Sequence, residues 1–241
     1  MSRIGDFWSG ATGAPLVVLS DFDFTISQVD VGDLITDTLC PPSPETVRAV
    51  QAGEAGSKVW WRDSMARADM ARAAELADGV AIDPHFPAFA AWCRSLGIPL
   101  AVVSDGFWYY ISRILGREGL GHLPVFCNEM PGPGQLAFPH ANPACDRCGC
   151  CKAGVARRLH ESGARIVYVG DGTSDMYASA FVDWVFAKGS LARFLSERGT
   201  PFFAFDSFAE VHGRLASGLD EFRAGTASGR VTLTPSLHCR F

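Results

Sequence analysis

The chain has 241 residues, 48% hydrophobic and 20% charged, with a net charge of −5. That composition excludes a disordered chain, and the acidic balance excludes a broad basic face for nucleic acid, though not a local positive pocket for a small anion. Apolar runs such as Leu16–Leu19 fall far short of the ~20 residues that cross a bilayer, and no basic-then-apolar leader opens the chain, so the expectation is a cytoplasmic protein with no membrane attachment.

At ~100–200 residues per domain, the length allows one core with a smaller insert. In chain order, Leu16–Ser20 reads as a buried strand that ends in acidic residues. Between Val29 and Asp83 no strand is expected. Apolar residues recur there at helical spacing, and Pro41-Pro42-Ser43-Pro44 marks a turn, so a helical insert is expected. A helix over Phe86–Leu96 leads to a strand over Ile98–Val103, which ends at Ser104-Asp105-Gly106. Helix Phe107–Arg117 and strand Pro124–Cys127 follow, then a hairpin or extended loop around Pro131-Gly132-Pro133-Gly134. Helix Ala153–Ser162 precedes strand Arg165–Val169, which ends at Gly170-Asp171-Gly172. Helices Ser174–Phe181, Leu191–Arg198 and Phe208–Phe222 alternate with strands Trp184–Ala187 and Phe202–Phe205, and a linker-like tail begins at Ala224. Strands alternating with helices imply a mostly parallel sheet, whose ligands bind beyond the carboxyl ends of the strands.

Those strand ends carry the candidate chemistry. Asp21-Phe22-Asp23-Phe24-Thr25 places two carboxylates at i and i+2 just past a buried strand. Like charges so close need a cation or a shared proton, and Mg²⁺ prefers such hard oxygen ligands; the alternative is a solvated loop. Gly170-Asp171-Gly172-Thr173-Ser174-Asp175 offers two more carboxylates after another strand, or only a capped βα turn. Ser104, Asp105 and Gly106 present a hydroxyl and backbone N–H groups to phosphate oxygens, or form an ordinary turn. Lys152 opens a helix after Cys145, Cys148, Cys150 and Cys151. That cluster has three readings: buried packing, a redox switch with thiols acidified by Lys152 and a helix N-terminus, or a zinc site cramped into one loop.

Together, Asp-x-Asp-x-Thr, a strand-end Ser, a helix-opening Lys and Gly-Asp-Gly-x-Ser-Asp resemble, in this order, the haloacid-dehalogenase superfamily of phosphatases, over about Leu16–Phe205. The helical insert resembles the small cap of the phosphoserine-phosphatase-like branch. Asp-Phe-Asp-Phe-Thr-Ile, Val-Val-Ser-Asp-Gly-Phe and Cys-Gly-Cys-Cys-Lys are most similar to the methionine-salvage phosphatases of 2-hydroxy-3-keto-5-methylthiopentenyl 1-phosphate. The resemblance implies an α/β class with a Rossmann-like parallel sheet flanked by helices. It implies a core at residues 1–28 and 84–223, a cap at 29–83 and a tail at 224–241.

It further implies Asp21 as the nucleophile that forms an aspartyl-phosphate, and Asp23 as general acid and base. Mg²⁺ would be held by Asp21, the Asp23 carbonyl and Asp171. Ser104 and Lys152 would hold the phosphoryl group, with Asp105 and Gly106 beside Ser104. Asp175 would orient metal-bound water or Lys152, and Thr25 would fix the loop and the Asp23 carboxyl. In the cap, Asp30 either binds a substrate ammonium or hydroxyl or caps a helix. Lys58, Arg62 and Arg67 meet a substrate anion or lie on a solvated face, and Trp60 and Trp61 line the pocket or pack. The expected substrate is a small phosphorylated metabolite. A phosphoserine-, phosphoethanolamine- or phosphocholine-type substrate is an alternative, as are a receiver-like signalling domain and a structural zinc protein. Oligomeric state stays open.

Overall fold

The computed structural model describes residues 2–231. An N-terminal helix, α1 (Ser2–Ala11), precedes strand β1 (Val17–Ser20). Then come four short helices, α2 (Val31–Leu39), α3 (Pro44–Gln51), α4 (Ser57–Asp63) and α5 (Met70–Asp78), with a 3₁₀ turn at Met65–Arg67. The chain next alternates: α6 (Phe86–Ser95), β2 (Leu100–Phe107), α7 (Trp108–Arg117), β3 (Val125–Gly132) and β4 (Gln135–Ala137). It continues through α8 (Lys152–Glu161), β5 (Ile166–Gly170), α9 (Asp175–Ala178), β6 (Trp184–Ala187), α10 (Gly189–Glu197), β7 (Phe203–Ala204), α11 (Phe208–Ser217) and α12 (Leu219–Ala224).

The strands form one sheet in the order β4-β3-β2-β1-β5-β6-β7, parallel except for the β3–β4 hairpin. β1 is central: Val18 pairs with Leu100 on one side and Val167 on the other. The order reverses there, since β2 and β5 flank β1, which opens a crevice beyond their carboxyl ends. Alternate residues serve opposite faces, as the pleat requires. Val18, Val102 and Val169 pack with Phe86 and Phe208, while Leu19, Val103 and Tyr168 pack with Leu159 and Leu191. Phe205 and Phe208 are buried, which assigns the aromatic segment near residue 205 to the core. Among the described residues, no helix is long and apolar enough to cross a membrane.

The helical insert leaves and rejoins the core through a narrow stem. Ser27 bridges Ile82 in antiparallel fashion, Gln28 N–H donates to the Ala81 carbonyl and Asp83 N–H to that of Ile26. Asp30, Ser43 and Asp69 cap α2, α3 and α5 with their side chains.

Five expectations change. α1 was not anticipated; Phe7 and Ala11 bury against Phe126 and the sheet. β2 runs through Ser104-Asp105-Gly106 to Phe107, so these residues are strand and not turn. Gly106 allows this, because a Cβ there would lie 2.0 Å from the Tyr110 hydroxyl. Phe208–Phe222 breaks into two helices at Gly218, and Ser174–Phe181 is one α-turn followed by a 3₁₀ turn. The start of the tail is no free linker: Ala227 accepts from Trp184 Nε1, and Arg230 pairs with Asp183 at 2.6 Å. The last tail segment and Cys239 lie outside the described residues.

Candidate active site

Asp21 follows β1, Ser104 lies in β2, Lys152 opens α8, and Asp171 follows β5. The parallel sheet therefore aims all four at one crevice. Lys152 Nζ sits 2.6 Å from Asp21 Oδ1 and 2.7 Å from Asp175 Oδ1, and all three residues are buried. Burial alone would drive a proton off the ammonium, but Asp175 and Asp21 overcome that and hold Lys152 charged, well above the usual lysine range.

One cation does not balance the carboxylates. Oxygens of Asp21, Asp171 and Asp175 converge within 4.8 Å, the only such group among the described residues. Burial, then the charge of Asp175, lifts Asp21 well above the ordinary carboxylate range, and the same causes raise Asp171 to about 6. Asp175 has no oxygen to spare. Its Oδ1 takes Lys152 and the Tyr168 hydroxyl, at 2.5 Å; its Oδ2 takes the N–H groups of Asp171 and Gly172, at 3.0 and 2.9 Å. The Asp175 side chain thus folds the Gly170–Gly172 loop and orients Lys152. The oxygens of Asp21 and Asp171 not bound to Lys152 and Thr25 are the hard donors that suit Mg²⁺.

Asp23 sits apart from that group. Its Oδ1 accepts from Val31 N–H at 3.0 Å, the first residue of α2, and its Oδ2 from the Ser104 and Tyr110 hydroxyls at 3.3 and 3.4 Å. Burial, then the charge of Asp30, raises its carboxyl well above the ordinary range, which favours a bound proton. Phe24, between Asp23 and Thr25, holds φ 53° and is half exposed. A bulky side chain in the left-handed region marks a strained loop at the site.

Several expected roles shift. The Thr25 hydroxyl bonds Asp171 Oδ1 at 2.9 Å and not the Asp23 carboxyl. The Asp105 carboxylate is taken up by protein partners: it bonds Ser57, Asn128 and Cys150 N–H. The Gly106 N–H is already given to Ser104 Oγ, at 2.9 Å. Asp30 caps α2, accepting from Asp33 N–H at 2.8 Å; burial raises it to about 6 beside Asp23. Lys58 Nζ donates to the Cys145 carbonyl, and Arg62 lies 5.5 Å over the Phe138 ring, so both tie the insert to the loop after β4. Arg67 donates to the Pro41 and Asp63 carbonyls within the insert. Trp61 packs edge-on against Phe107 at 5.5 Å.

In the cysteine loop, Cys150 and Cys151 are buried, and burial pushes both thiols up, opposite to the shift a redox-activated thiol needs. Cys151 Sγ accepts from Gly154 N–H and caps α8. Among the described residues no three sulfurs converge as a zinc site requires. Packing is the role these contacts describe. Sequence reading missed Tyr110 and Tyr168. Tyr168 was legible in principle, because a phenol inside an apolar strand must find a buried partner.

Fold and site together define an α/β enzyme whose clustered carboxylates stand at the carboxyl ends of a parallel sheet. A family model described as haloacid dehalogenase-like hydrolase matches residues 18–179, and the chain belongs to that family. It is 28% identical over 212 residues to a 2-hydroxy-3-keto-5-methylthiopentenyl-1-phosphate phosphatase of Brevibacillus brevis, covering 81% of this chain and 93% of that one. A protein of the same name from Exiguobacterium sibiricum is 32% identical over 135 residues, covering 54% of this chain and 61% of the relative. Among solved structures, a phosphoserine phosphatase holding an analogue of its phospho-aspartyl intermediate superposes with TM-score 0.62 at 16% identity, covering 83% and 98% of the two chains. That likeness concerns the fold.

Proposed function

We propose that this haloacid dehalogenase-type phosphatase hydrolyses a small phosphate monoester through a phosphorylated Asp21, with the enol-phosphate of methionine salvage as its preferred substrate. The observation that carries the reading is the convergence of buried Asp21 and Asp175 and half-buried Asp171, with one ammonium paired to the first two, which leaves negative charge for a divalent ion to match. Asp21 and Asp171 would hold Mg²⁺ with the Asp23 carbonyl, and the ion would offset the charge of the phosphoryl oxygens.

The chain's own groups supply the rest. Lys152 holds the Asp21 carboxylate in place, so that one of its oxygens attacks phosphorus as the bond to the leaving oxygen breaks while the other would face the ion. Asp23, raised by burial, gives its proton to that leaving oxygen, then takes one from the water that attacks the aspartyl-phosphate. Ser104 and Lys152 donate to the phosphoryl oxygens. The helical insert serves as the cap over this crevice. The preference for the methionine-salvage substrate is supported by the two bacterial relatives bearing that name.

The test is a kcat/KM ranking with Mg²⁺ over p-nitrophenyl phosphate, the methionine-salvage enol-phosphate, phosphoserine, phosphoethanolamine and phosphocholine. The enol-phosphate is expected to rank first. No turnover of any of them sinks the phosphatase reading, and a stable phosphorylated chain supports a receiver instead.

Metal dependence of stability follows from the raised carboxylates. Asp21, Asp23 and Asp171 bind protons more tightly folded than unfolded. Without metal, their contribution is therefore fully present below the unfolded carboxylate range; that of Asp171 is lost as pH rises through about 6, and those of Asp21 and Asp23 as pH rises through their own raised ranges. The metal-free protein is expected to melt lower at neutral pH than in mild acid. Mg²⁺ should raise Tm at neutral pH and do little in acid, where protons occupy its ligands. An equal Mg²⁺ effect at both pH values contradicts this assignment.

A further inference from the structure

Asp105 directly follows Ser104 on β2, yet its carboxylate faces the insert. One oxygen accepts from the hydroxyl of Ser57, the first residue of α4. The other accepts from Cys150 N–H at 2.8 Å and Asn128 Nδ2 at 3.2 Å, and Asn128 also donates to the Asp105 carbonyl at 2.5 Å. A single side chain thereby joins the insert, β3 and the cysteine loop.

The same two surfaces meet all round this point. Lys58 N–H donates to the Arg147 carbonyl at 3.0 Å, and Gly149 N–H to the Ser57 hydroxyl at 3.3 Å. Lys58 Nζ reaches the Cys145 carbonyl at 2.9 Å, and Arg147 Nη1 reaches the Gly53 carbonyl at 2.8 Å. The backbones touch: a Cβ on Gly56 would lie 2.3 Å from the Arg147 carbonyl oxygen. Gly149 is just as confined, since a Cβ there would fall 2.5 Å from Asn128 Oδ1. These joins are polar and lie beside the apolar contact that Trp61 of the same helix makes with Phe107. The stem at Ser27 and Ile82 is where the insert leaves and rejoins the core.

We infer that Asp105 is a positioning residue: its bond to Ser57 latches the insert onto the strand that carries Ser104, so seating the cap and placing the phosphate-binding hydroxyl become one event. This rests on the phosphatase reading only for its catalytic half. Loss of the latch lowers the fraction of molecules with a seated cap, and apparent affinity falls in proportion to that fraction. Substrate binding energy can still close the cap, so kcat changes less than KM.

The experiment compares Ser57→Ala, Ser57→Thr and Asp105→Asn with wild type. Amide hydrogen exchange at Lys58, whose acceptor is the Arg147 carbonyl and is removed by none of the variants, reads the latch without reference to activity. Exchange there is expected to rise in Ser57→Ala and Asp105→Asn and to return to the wild-type rate in Ser57→Thr. KM for the best small monoester of the panel should rise about tenfold in Ser57→Ala, the loss of one bond to a charged acceptor, with kcat within about twofold. Unchanged exchange in Ser57→Ala overturns the latch, even if wild type is an active phosphatase. Faster exchange with KM unchanged overturns the coupling to Ser104, as does a fall in kcat and Tm alone, the signature of a merely structural bond. If wild type turns over no phosphate ester, faster exchange in Ser57→Ala, restored by Thr, still supports the latch while the phosphatase reading fails.

Discussion

Asp21→Asn is expected to abolish turnover, by ~10³-fold or more, in a protein that stays folded. An amide of the same size cannot attack phosphorus, and removal of a nucleophile is among the costliest single changes to an enzyme. Folding should survive because burial and the charges of Asp175 and Asp171 already disfavour an ionised Asp21 carboxylate; the amide removes that cost, and Lys152 keeps Asp175 at 2.7 Å. A metal-free melt should therefore equal or exceed that of wild type. Asp23→Asn is the companion, because it separates the two half-reactions. p-Nitrophenolate leaves without a proton, so phosphorylation of Asp21 continues, while hydrolysis of the aspartyl-phosphate loses its base, worth ~10²–10⁴-fold. The trace should show a burst of one p-nitrophenolate per chain followed by a slow rate. A linear trace with wild-type slope removes Asp23 from the chemistry; measurable steady turnover by Asp21→Asn removes Asp21.

The parts of the molecule that a reader of the sequence reaches are those encoded locally. Apolar runs that end in Asp21, Ser104 and Asp171 announce parallel strands with polar carboxyl ends, and β1, β2 and β5 lie side by side at the centre of the sheet. The α/β class follows from that alternation. The details that escaped depend on contacts between distant segments. Ser104-Asp105-Gly106 looks like a turn until Tyr110, folded back from α7, is seen to require a strand without a Cβ at Gly106. Asp105 looks like a phosphate ligand until Ser57, 48 positions earlier, takes its carboxylate. Thr25 looks like a partner of Asp23, its near neighbour, but bonds Asp171, 146 positions away. In each case residue type was informative and the partner was not, because the partner is chosen by the sheet order.

Sheet order also explains why the proposed acid and the proposed nucleophile differ in their surroundings. Asp21 leaves the central strand between β2 and β5, so it meets the α8 ammonium and the β5 carboxylates together. Asp23, two residues on, has turned toward β2 and the insert, where it finds hydroxyls and a backbone N–H. One carboxylate is thus ion-paired and the other is held among neutral donors. That division places the first against a cation, which favours its charged form, and leaves the second without one among its hydrogen-bond partners.

Lys152→Met should be the most destabilising substitution at this site, and its damage should be repairable by metal. The ammonium is 3% exposed and bonds two buried carboxylates. Removing one member of a buried ionic cluster leaves the others uncompensated, at a cost of ~3–5 kcal/mol, or a fall in Tm on the order of 10 °C for a chain of this size. Met keeps the length and apolar stem, so the loss reports charge and not volume. Mg²⁺ should raise the melt of Lys152→Met by more than that of wild type, because its ligands lie in the same acidic group and the ion supplies the missing positive charge. Activity should not return with it. Mg²⁺ cannot fix the Asp21 oxygen now held at 2.6 Å, nor donate a hydrogen bond to the phosphoryl group, and a residual deficit of ~10²–10³-fold is expected. Lys152→Arg keeps the charge but brings a wider, planar head into an enclosed site; it should melt above Lys152→Met and turn over no faster. Thermal melts and p-nitrophenyl phosphate rates for the three proteins, with and without Mg²⁺, check the pair of outcomes. A Lys152→Met melt equal to wild type without metal would show that the ammonium balances no buried charge, and recovery of its rate by Mg²⁺ would show that Lys152 acts only as a counter-ion.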